Sequence, residues 1–253
     1  MCVEKLVEMD RIVYETMSRV QNKHWWFLGR KRAFSALISK LKLPKNSRIL
    51  EIGAGTGANL LMLSTFGNVT ACESDGDSRK FLEEAGWNIL PGLLPNGLPG
   101  FKYKFDLICL FDVLEHIEDD VSSLLRIKDL LTPDGVLVVA CPAYQWLYED
   151  YDKKLGHFRR YTKTSLDGIL KLNQFEIIES GYINTFLFPL VAFGRMLESL
   201  GIGARKNALT VPNKCINSIL KLIFYAEAKF IKLKLFPFGV TVISVSRSIN
   251  LPK

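Results

Sequence analysis

Little in this chain suits a fold stapled by disulfides or metal. Its five cysteines, Cys2, Cys72, Cys109, Cys141 and Cys215, stand singly, without the C-x-x-C spacing that builds zinc or redox sites. Three of them fall inside apolar runs that read as buried strands, the place of small core residues in a reducing compartment. Histidine is scarcer, with only His24, His116 and His157, so no metal is expected. Long apolar runs are missing as well. Residues 185–194 are too short to span a bilayer, and 216–231 is interrupted by Lys221, Glu227 and Lys229, so no transmembrane helix is expected. The first ten residues mix acids and bases with no apolar core before a small-residue site, which argues against secretion and for a cytoplasmic protein. The 18 glycines and 10 prolines follow no period, which excludes collagen-like or low-complexity fibres.

What remains is a chain of 253 residues, 48% hydrophobic and 23% charged, enough to bury a full core in one domain with an elaboration. The net charge of +7 is unevenly spread. Residues 1–47 hold ten bases and four acids, 48–200 fourteen bases and twenty-one acids, and 201–235 seven bases against Glu227 alone. A mildly acidic body between basic segments suits an anionic partner such as a phosphate-bearing substrate, a lipid surface or nucleic acid; solvated helix faces would give the same pattern. No target-base motif or nucleic-acid module accompanies the charge.

Residues 6–41 read as helices, with Leu37, Ile38 and Leu41 at helical spacing. Apolar runs then alternate with helical stretches. Strands are expected at 48–52, 69–72, 89–90, 105–111 and 136–141, and helices from about Ala58, through 81–85 and through 124–131. A turn at 132–135 precedes the fifth strand. A helix at 164–172, a strand at 175–178 and a β-branched strand at 239–245 follow. Strand, helix, strand in succession predicts an α/β fold, a Rossmann-like doubly wound and mostly parallel sheet with helices on both faces. About sixty residues between the last two strands exceed what such a sheet needs and form a helical insertion. The organisation expected is a helical lid at 1–47, an α/β domain at 48–184, the basic insertion at 185–235, and the final strand and tail at 236–253.

The segment Leu50-Glu51-Ile52-Gly53-Ala54-Gly55-Thr56-Gly57-Ala58 is a strand running into a glycine turn and then a helix. Such turns let backbone approach a ligand where side chains would clash. Gly53, Gly55 and Ala58 also satisfy the looser dinucleotide fingerprint, so the loop alone leaves a nicotinamide oxidoreductase open. Glu51 weighs against that, because a carboxylate there repels a pyrophosphate and attracts a cation. A second strand ends in Glu73, an acid placed to hold both ribose hydroxyls. A third block reads Phe105-Asp106-Leu107-Ile108-Cys109-Leu110-Phe111-Asp112-Val113-Leu114-Glu115-His116-Ile117-Glu118-Asp119.

With these three blocks in order, residues 48 to about 145 resemble the class I S-adenosylmethionine-dependent methyltransferases. The resemblance implies a seven-stranded sheet with an antiparallel last strand and S-adenosyl-L-methionine across the carboxyl ends of the first strands. It also implies that Glu51, Gly53, Gly55 and Gly57 shape the methionine end of the pocket. Glu73 would hold the ribose, Ser74 flank the adenine, and Asp112 with Val113 line the region after strand four, Asp112 also serving as a helix N-cap. Leucines replace the usual polar residue near Gly92 to Leu94.

Methyl transfer from a sulfonium is an in-line displacement, and a hydroxyl acceptor must also lose a proton. His157, His116 and Tyr161 are the candidates for that chemistry. His157 lies in Gly156-His157-Phe158-Arg159-Arg160-Tyr161-Thr162, just before a helix that Thr162 caps. With His24-Trp25-Trp26-Phe27, this string resembles a bacterial branch of the family associated with cell-envelope glycan or lipid-linked pathways. Arg159 and Arg160 would clamp a phosphate or carboxylate, or pair with Glu149, Asp150 or Asp152. Trp25 and Trp26, with Arg30-Lys31-Arg32, form a lid over the acceptor or pack against the sheet edge. On a helical wheel of about 100° per residue, Lys214, Lys221, Lys229 and Lys232 fall within about 80°. Ile216, Ile219, Leu220, Ile223, Phe230 and Ile231 lie opposite. That basic amphipathic helix could meet an anionic membrane at its inner face, cover the pocket, build a dimer or pack on its own domain. The expectation is a methyltransferase acting at oxygen on a small-molecule or lipid- or glycan-linked anionic acceptor, with a noncatalytic partner or membrane-recruitment protein of the same fold as the alternative.

Overall fold

The computed structural model describes residues 11–199 and 209–249. Cys2, the start of the expected helical lid, the middle of the insertion and the last four residues lie outside the described residues. The chain opens with α1 (Arg11–Val20) and α2 (Trp25–Ile38), then β1 (Arg48–Ile52), α3 (Leu60–Leu63), β2 (Asn68–Glu73), α4 (Gly76–Glu84), β3 (Ile89–Pro91) and β4 (Phe105–Phe111). It continues through α5 (Asp120–Leu130), β5 (Leu131–Pro142), α6 (Asp150–Lys154), α7 (Lys163–Leu172), β6 (Phe175–Ile183), α8 (Phe188–Ser199), α9 (Lys214–Ile231) and β7 (Thr241–Ser248).

The seven strands form one sheet in the order β3, β2, β1, β4, β5, β7, β6. All neighbours are parallel except β7, which runs antiparallel to both β5 and β6. This is the expected Rossmann-like sheet with its antiparallel last strand. The side-chain period of two divides the central strands between two cores. Leu50, Ile52, Ile108, Leu110, Leu137 and Val139 face Leu124 and Ile127 of α5 and Leu166 and Leu170 of α7. Ile49, Leu107, Cys109, Val138 and Ala140 face Phe34, Leu37 and Ile38 of α2 and Phe224, Ala228 and Ile231 of α9. Strands covered on both sides have no polar face, which is why they read as unbroken apolar runs. Cys72, Cys109 and Cys141 are buried and unbridged as expected, whereas Cys215 is exposed.

Several boundaries differ from the sequence reading. The expected turn at 132–135 is drawn into β5, which begins at Leu131. Phe105 pairs with Leu131 and Leu107 with Val136, so the extra residues form a bulge beside β4. The strand expected at 175–178 runs on to Ile183 because Tyr182 and Ile183 pair with Val242 and Thr241 of β7. The helix expected from Ala58 shrinks to α3, since three positive-φ glycines hold the chain in turns before it.

α9 docks onto its own domain. Glu227 is fully buried and accepts hydrogen bonds from the backbone nitrogens of Asn184 (2.6 Å), Thr185 (2.8 Å) and Phe186 (3.0 Å). Asn217 accepts from the Trp25 nitrogen (2.9 Å) and donates to the Lys23 carbonyl (2.9 Å). A Cβ on Gly29 would fall 2.1 Å from Phe224 Cδ1, so glycine lets the two helices meet. The wheel is corrected accordingly. The buried stripe is Phe224, Glu227, Ala228 and Ile231, whereas Ile216, Ile219, Leu222, Phe230 and Leu233 are exposed. No helix among the described residues is long and apolar enough to cross a membrane.

Candidate active site

The strand order reverses between β1 and β4, and open α/β sheets take ligands outside the carboxyl ends of the strands at such a point. A cavity of about 1190 Å³ lies there, reaching from Tyr14 and Glu73 to Val191 and Arg195. One end is built by the loop after β1. Gly53, Gly55 and Gly57 all have positive φ, between 54° and 75°, a region that L side chains rarely enter. Their surroundings differ. A Cβ on Gly53 would meet Val113 at 2.5 Å and one on Gly57 would meet Leu82 at 2.4 Å, whereas Gly55 has nothing within 4 Å and lines the cavity. Gly55 is therefore the point where a ligand approaches backbone. Gly57, off the lining, is a packing glycine against α4 rather than a wall of the pocket.

Glu73, at the end of β2, is buried and lines the cavity. Its carboxylate accepts from the nitrogens of Gly55 (2.7 Å) and Asp75 (2.9 Å) and from the Ser74 hydroxyl (3.2 Å). The Tyr14 hydroxyl approaches it at 3.5 Å from α1. Burial, Glu73 and Asp75 together push the Tyr14 phenol well above its ordinary range. Gln21, just beyond α1, accepts from the Thr56 hydroxyl (2.6 Å) and donates to the Thr56 carbonyl (3.2 Å). The N-terminal helices thus close onto the glycine loop.

Glu51 requires a correction. It lies beneath the loop, off the cavity lining and almost fully buried, with one oxygen accepting from Asn59 Nδ2 at 2.9 Å and the other without a partner among the described residues. Burial pushes its carboxyl up to about 8, so at neutral pH it is mostly protonated and cannot supply the negative charge expected of it. The acids lining the cavity are Glu15, Glu73, Asp75, Asp77, Asp112 and Asp152.

Asp112 follows β4 in a left-handed conformation, φ 57°, instead of capping a helix, and Val113 beside it lines the cavity. Asp112 is ion-paired with Arg30 of α2, a partner no local pattern announces. The Arg30 guanidinium lies 4.3 Å from the Trp26 ring centroid and 5.0 Å from that of Phe34. Its Nε and Nη2 are buried and lack partners among the described residues. A buried cation with two unsatisfied donors on a cavity wall fits a carboxylate, which accepts in a fork. That open Gly55 wall and these donors match an amino-acid cofactor bearing a nucleoside. Trp25 and Trp26 line the same wall beside His24, which caps α2 through Nδ1. Gly92, Leu93 and Leu94 form an apolar side.

At the other end, His116 and His157 line the cavity with their rings edge to face, 4.6 Å apart. His157 Nδ1 lies 2.8 Å from Asp152, and Arg160 grips the same carboxylate through Nε (2.9 Å) and Nη2 (2.8 Å). Burial opposes ionisation of Asp152, but the bonds from His157 and Arg160 outweigh it and hold the acid below its ordinary value. Burial, then the neighbouring His157, pushes His116 down to about 4, so it is neutral at pH 7. Arg160 therefore positions Asp152, and only Arg160 of the two expected clamps reaches the cavity. Arg159 is drawn off to Asp120 (2.8 Å) and the Glu118 carbonyl (2.9 Å). Tyr161 is buried outside the lining, its hydroxyl donating to Asp120 at 2.9 Å. Neither Arg159 nor Tyr161 touches the space where an acceptor would lie. Sequence reading passed over Glu115, fully buried between Asp112 and His116; its place in the D-x-x-E-H string was the available signal.

A family model described as "Methyltransferase domain" matches residues 26–180. The ubiquinone biosynthesis O-methyltransferase of Actinobacillus pleuropneumoniae serotype 7 is 32% identical over 101 residues, 36% of this chain and 43% of that protein, and the serotype 5b protein is 31% identical over a stretch of the same length. The match thus spans less than half of those curated relatives. Among solved structures, a chain of the complex containing the Haloferax volcanii Trm112 methyltransferase activator superposes with a TM-score of 0.62 at 14% identity, covering 98% of this chain and 99% of that one. An S-adenosylmethionine-dependent methyltransferase from Thermotoga maritima gives 0.56 at 15% identity, covering 93% and 99%. At such identities the structures speak for the fold.

Proposed function

The chain belongs to the methyltransferase-domain family, and on that premise we propose that it transfers the methyl group of S-adenosyl-L-methionine to an oxygen of a small-molecule or lipid- or glycan-linked acceptor. One observation carries the reading. A single cavity joins a glycine wall and a buried, half-satisfied Arg30 at one end to the His116 and His157 pair, backed by the Asp152 carboxylate, at the other. When bound, the cofactor supplies an electrophilic methyl on a positively charged sulfur. The rest falls to this chain's residues. Arg30 receives the carboxylate, Glu73 the ribose hydroxyls, and Gly55 leaves room for the backbone to follow. Asp112 and Glu73 put negative charge on the walls that a sulfonium passes.

The acceptor end must bind a hydroxyl and draw off its proton. Asp152 holds Nδ1 of His157, which leaves Nε2 as its remaining nitrogen, and His116 beside it is uncharged. Trp25, Trp26 and α1 act as a lid that excludes water from the transfer. The printed name of the Actinobacillus relatives favours oxygen as the methylated atom. Arg160 and Arg195 lie on the lining but pair with Asp152 and Glu149, so the anionic character of the acceptor is read from the basic segments flanking the acidic body of the chain. The noncatalytic alternative makes a different forecast under the same test. With methyl-labelled donor and a pool of bacterial envelope lipids and small phenols, label should pass to an organic product, and His157→Ala should depress turnover far more than cofactor affinity. Cofactor binding with no product from any acceptor would favour the noncatalytic protein.

We further propose that α9 meets an anionic lipid surface at the inner face of the membrane. Its exposed apolar stripe lies away from the packed one and borders Lys214, Lys229 and Lys232, and Leu190 and Phe193 of α8 are exposed as well. Apolar residues edged by lysines suit the boundary between headgroups and acyl chains.

A further inference from the structure

We propose that Glu115, His116 and His157 bind one first-row divalent cation, zinc by the chemistry of the donors, at the acceptor end of the cavity. Each residue offers one ligand atom, and these atoms lie within 4.8 Å of one another. Donors of a tetrahedral zinc with bonds of about 2.1 Å stand about 3.4 Å apart, so small side-chain rotations close the set. Two imidazoles and a carboxylate are borderline donors that suit zinc and its neighbours better than magnesium or calcium, which prefer oxygen.

Glu115 is the independent sign of a missing ligand. It is 0% exposed, and neither carboxyl oxygen has a hydrogen-bond partner among the described residues. The buried Cys141 thiol lies beside it and is at most a weak donor to it. A carboxyl placed so is among the costliest groups to bury, and it persists in folds chiefly where a proton or a cation completes it.

The surroundings are built as metal-ligating histidines require. Such a histidine gives its other ring nitrogen to a carboxylate or carbonyl, which fixes its tautomer and orientation. Asp152 does this for His157 at 2.8 Å and is itself fixed by Arg160 and by the Glu149 nitrogen (2.9 Å). His116 lies close to the backbone of Leu155 and Gly156. His116 and His157 line the cavity while Glu115 lies behind them, so a cation's open position would face the cavity. Resting on the methyltransferase reading, that position would take the acceptor hydroxyl and acidify its proton, which would pass to water in the open cavity as the oxygen–methyl bond forms and the sulfur–methyl bond breaks; His157 would then be a ligand rather than the base.

The test separates this inference from that reading. The full chain is stripped with chelator, reloaded with Zn²⁺, desalted and analysed by plasma mass spectrometry; Co²⁺ titration is followed by visible absorption. One equivalent of zinc and cobalt bands of a low-symmetry nitrogen–oxygen site are expected. Glu115→Gln and His157→Gln should each weaken binding at least about 100-fold, and Asp152→Asn by about 10- to 100-fold. His157→Gln carries the comparison should Glu115→Gln not fold, as judged by near-UV dichroism. Zinc uptake by the unaltered chain no greater than that of folded His157→Gln would overturn the site. Calorimetry with S-adenosyl-L-methionine on the stripped protein reports separately: cofactor uptake without any metal site sinks only this inference, and metal uptake without cofactor sinks only the methyltransferase reading.

Discussion

Arg30 on α2 is ion-paired with Asp112, the residue that leaves β4, and the pair joins the N-terminal helices to the catalytic edge of the sheet. The guanidinium is the more buried partner, with side-chain exposures of 7% for Arg30 and 29% for Asp112. Removing it leaves Asp112 uncompensated and takes away the donors meant for the cofactor carboxylate. Arg30→Ala should lower stability by about 1–3 kcal/mol and weaken cofactor binding by about tenfold or more, since hydrogen bonds to charged groups contribute about 1.5–3 kcal/mol. Thermal melts and calorimetry together check this; unchanged cofactor affinity would remove Arg30 from the site.

Gly55 and Gly29 separate the effect of binding from that of packing. Gly55→Ala meets no atom within 4 Å but sits at φ 54° on the cavity wall. It should keep the fold at a cost of about 1–2 kcal/mol and lose most cofactor binding. Gly29→Ala drives a methyl into Phe224 and should destabilise by about 1–3 kcal/mol while the remaining folded protein still binds cofactor.

The buried Glu51 has a signature in pH. Its carboxyl titrates at about 8 when folded against an ordinary 4.5. Between those values the folded chain keeps a proton that the unfolded chain has released, so stability falls as pH rises through that window, by at most about 1.4 kcal/mol per unit. Glu51→Gln keeps an acceptor for Asn59 and removes the titration. The variant should therefore gain on the unaltered protein from pH 5 to 8 in denaturant titrations, and parallel curves would contradict the assignment.

For α9, vesicles of phosphatidylglycerol should sediment with the protein and vesicles of phosphatidylcholine should not. Charge reversal at Lys229 and Lys232, both exposed, should release it, and raised salt should weaken it. Absence of the protein from both pellets would confine α9 to its packing role.

The sheet and the glycine loop were legible because their information is local. Alternation, turn residues and the 48–73 spacing are written along a few dozen consecutive positions. Where contacts join distant segments the sequence was silent. Nothing near Asp112 announces Arg30, and the wheel of α9 finds one apolar side opposite the lysines without saying that the contact of Gly29 with Phe224 decides which residues are buried. Arg159, Arg160 and Tyr161 are adjacent in sequence, yet the backbone sends only Arg160 to the cavity while Asp120 collects the other two. The charge of Glu51 was misread for a related reason, since burial decides whether a carboxyl ionises and burial is a property of the folded chain.

The most direct measurement is a calorimetric titration of the purified chain with S-adenosyl-L-methionine and, separately, with a nicotinamide dinucleotide. The account expects one site for the sulfonium donor, weakened by Arg30→Ala and Gly55→Ala, and no heat from the dinucleotide. Uptake of the dinucleotide without the sulfonium would contradict it.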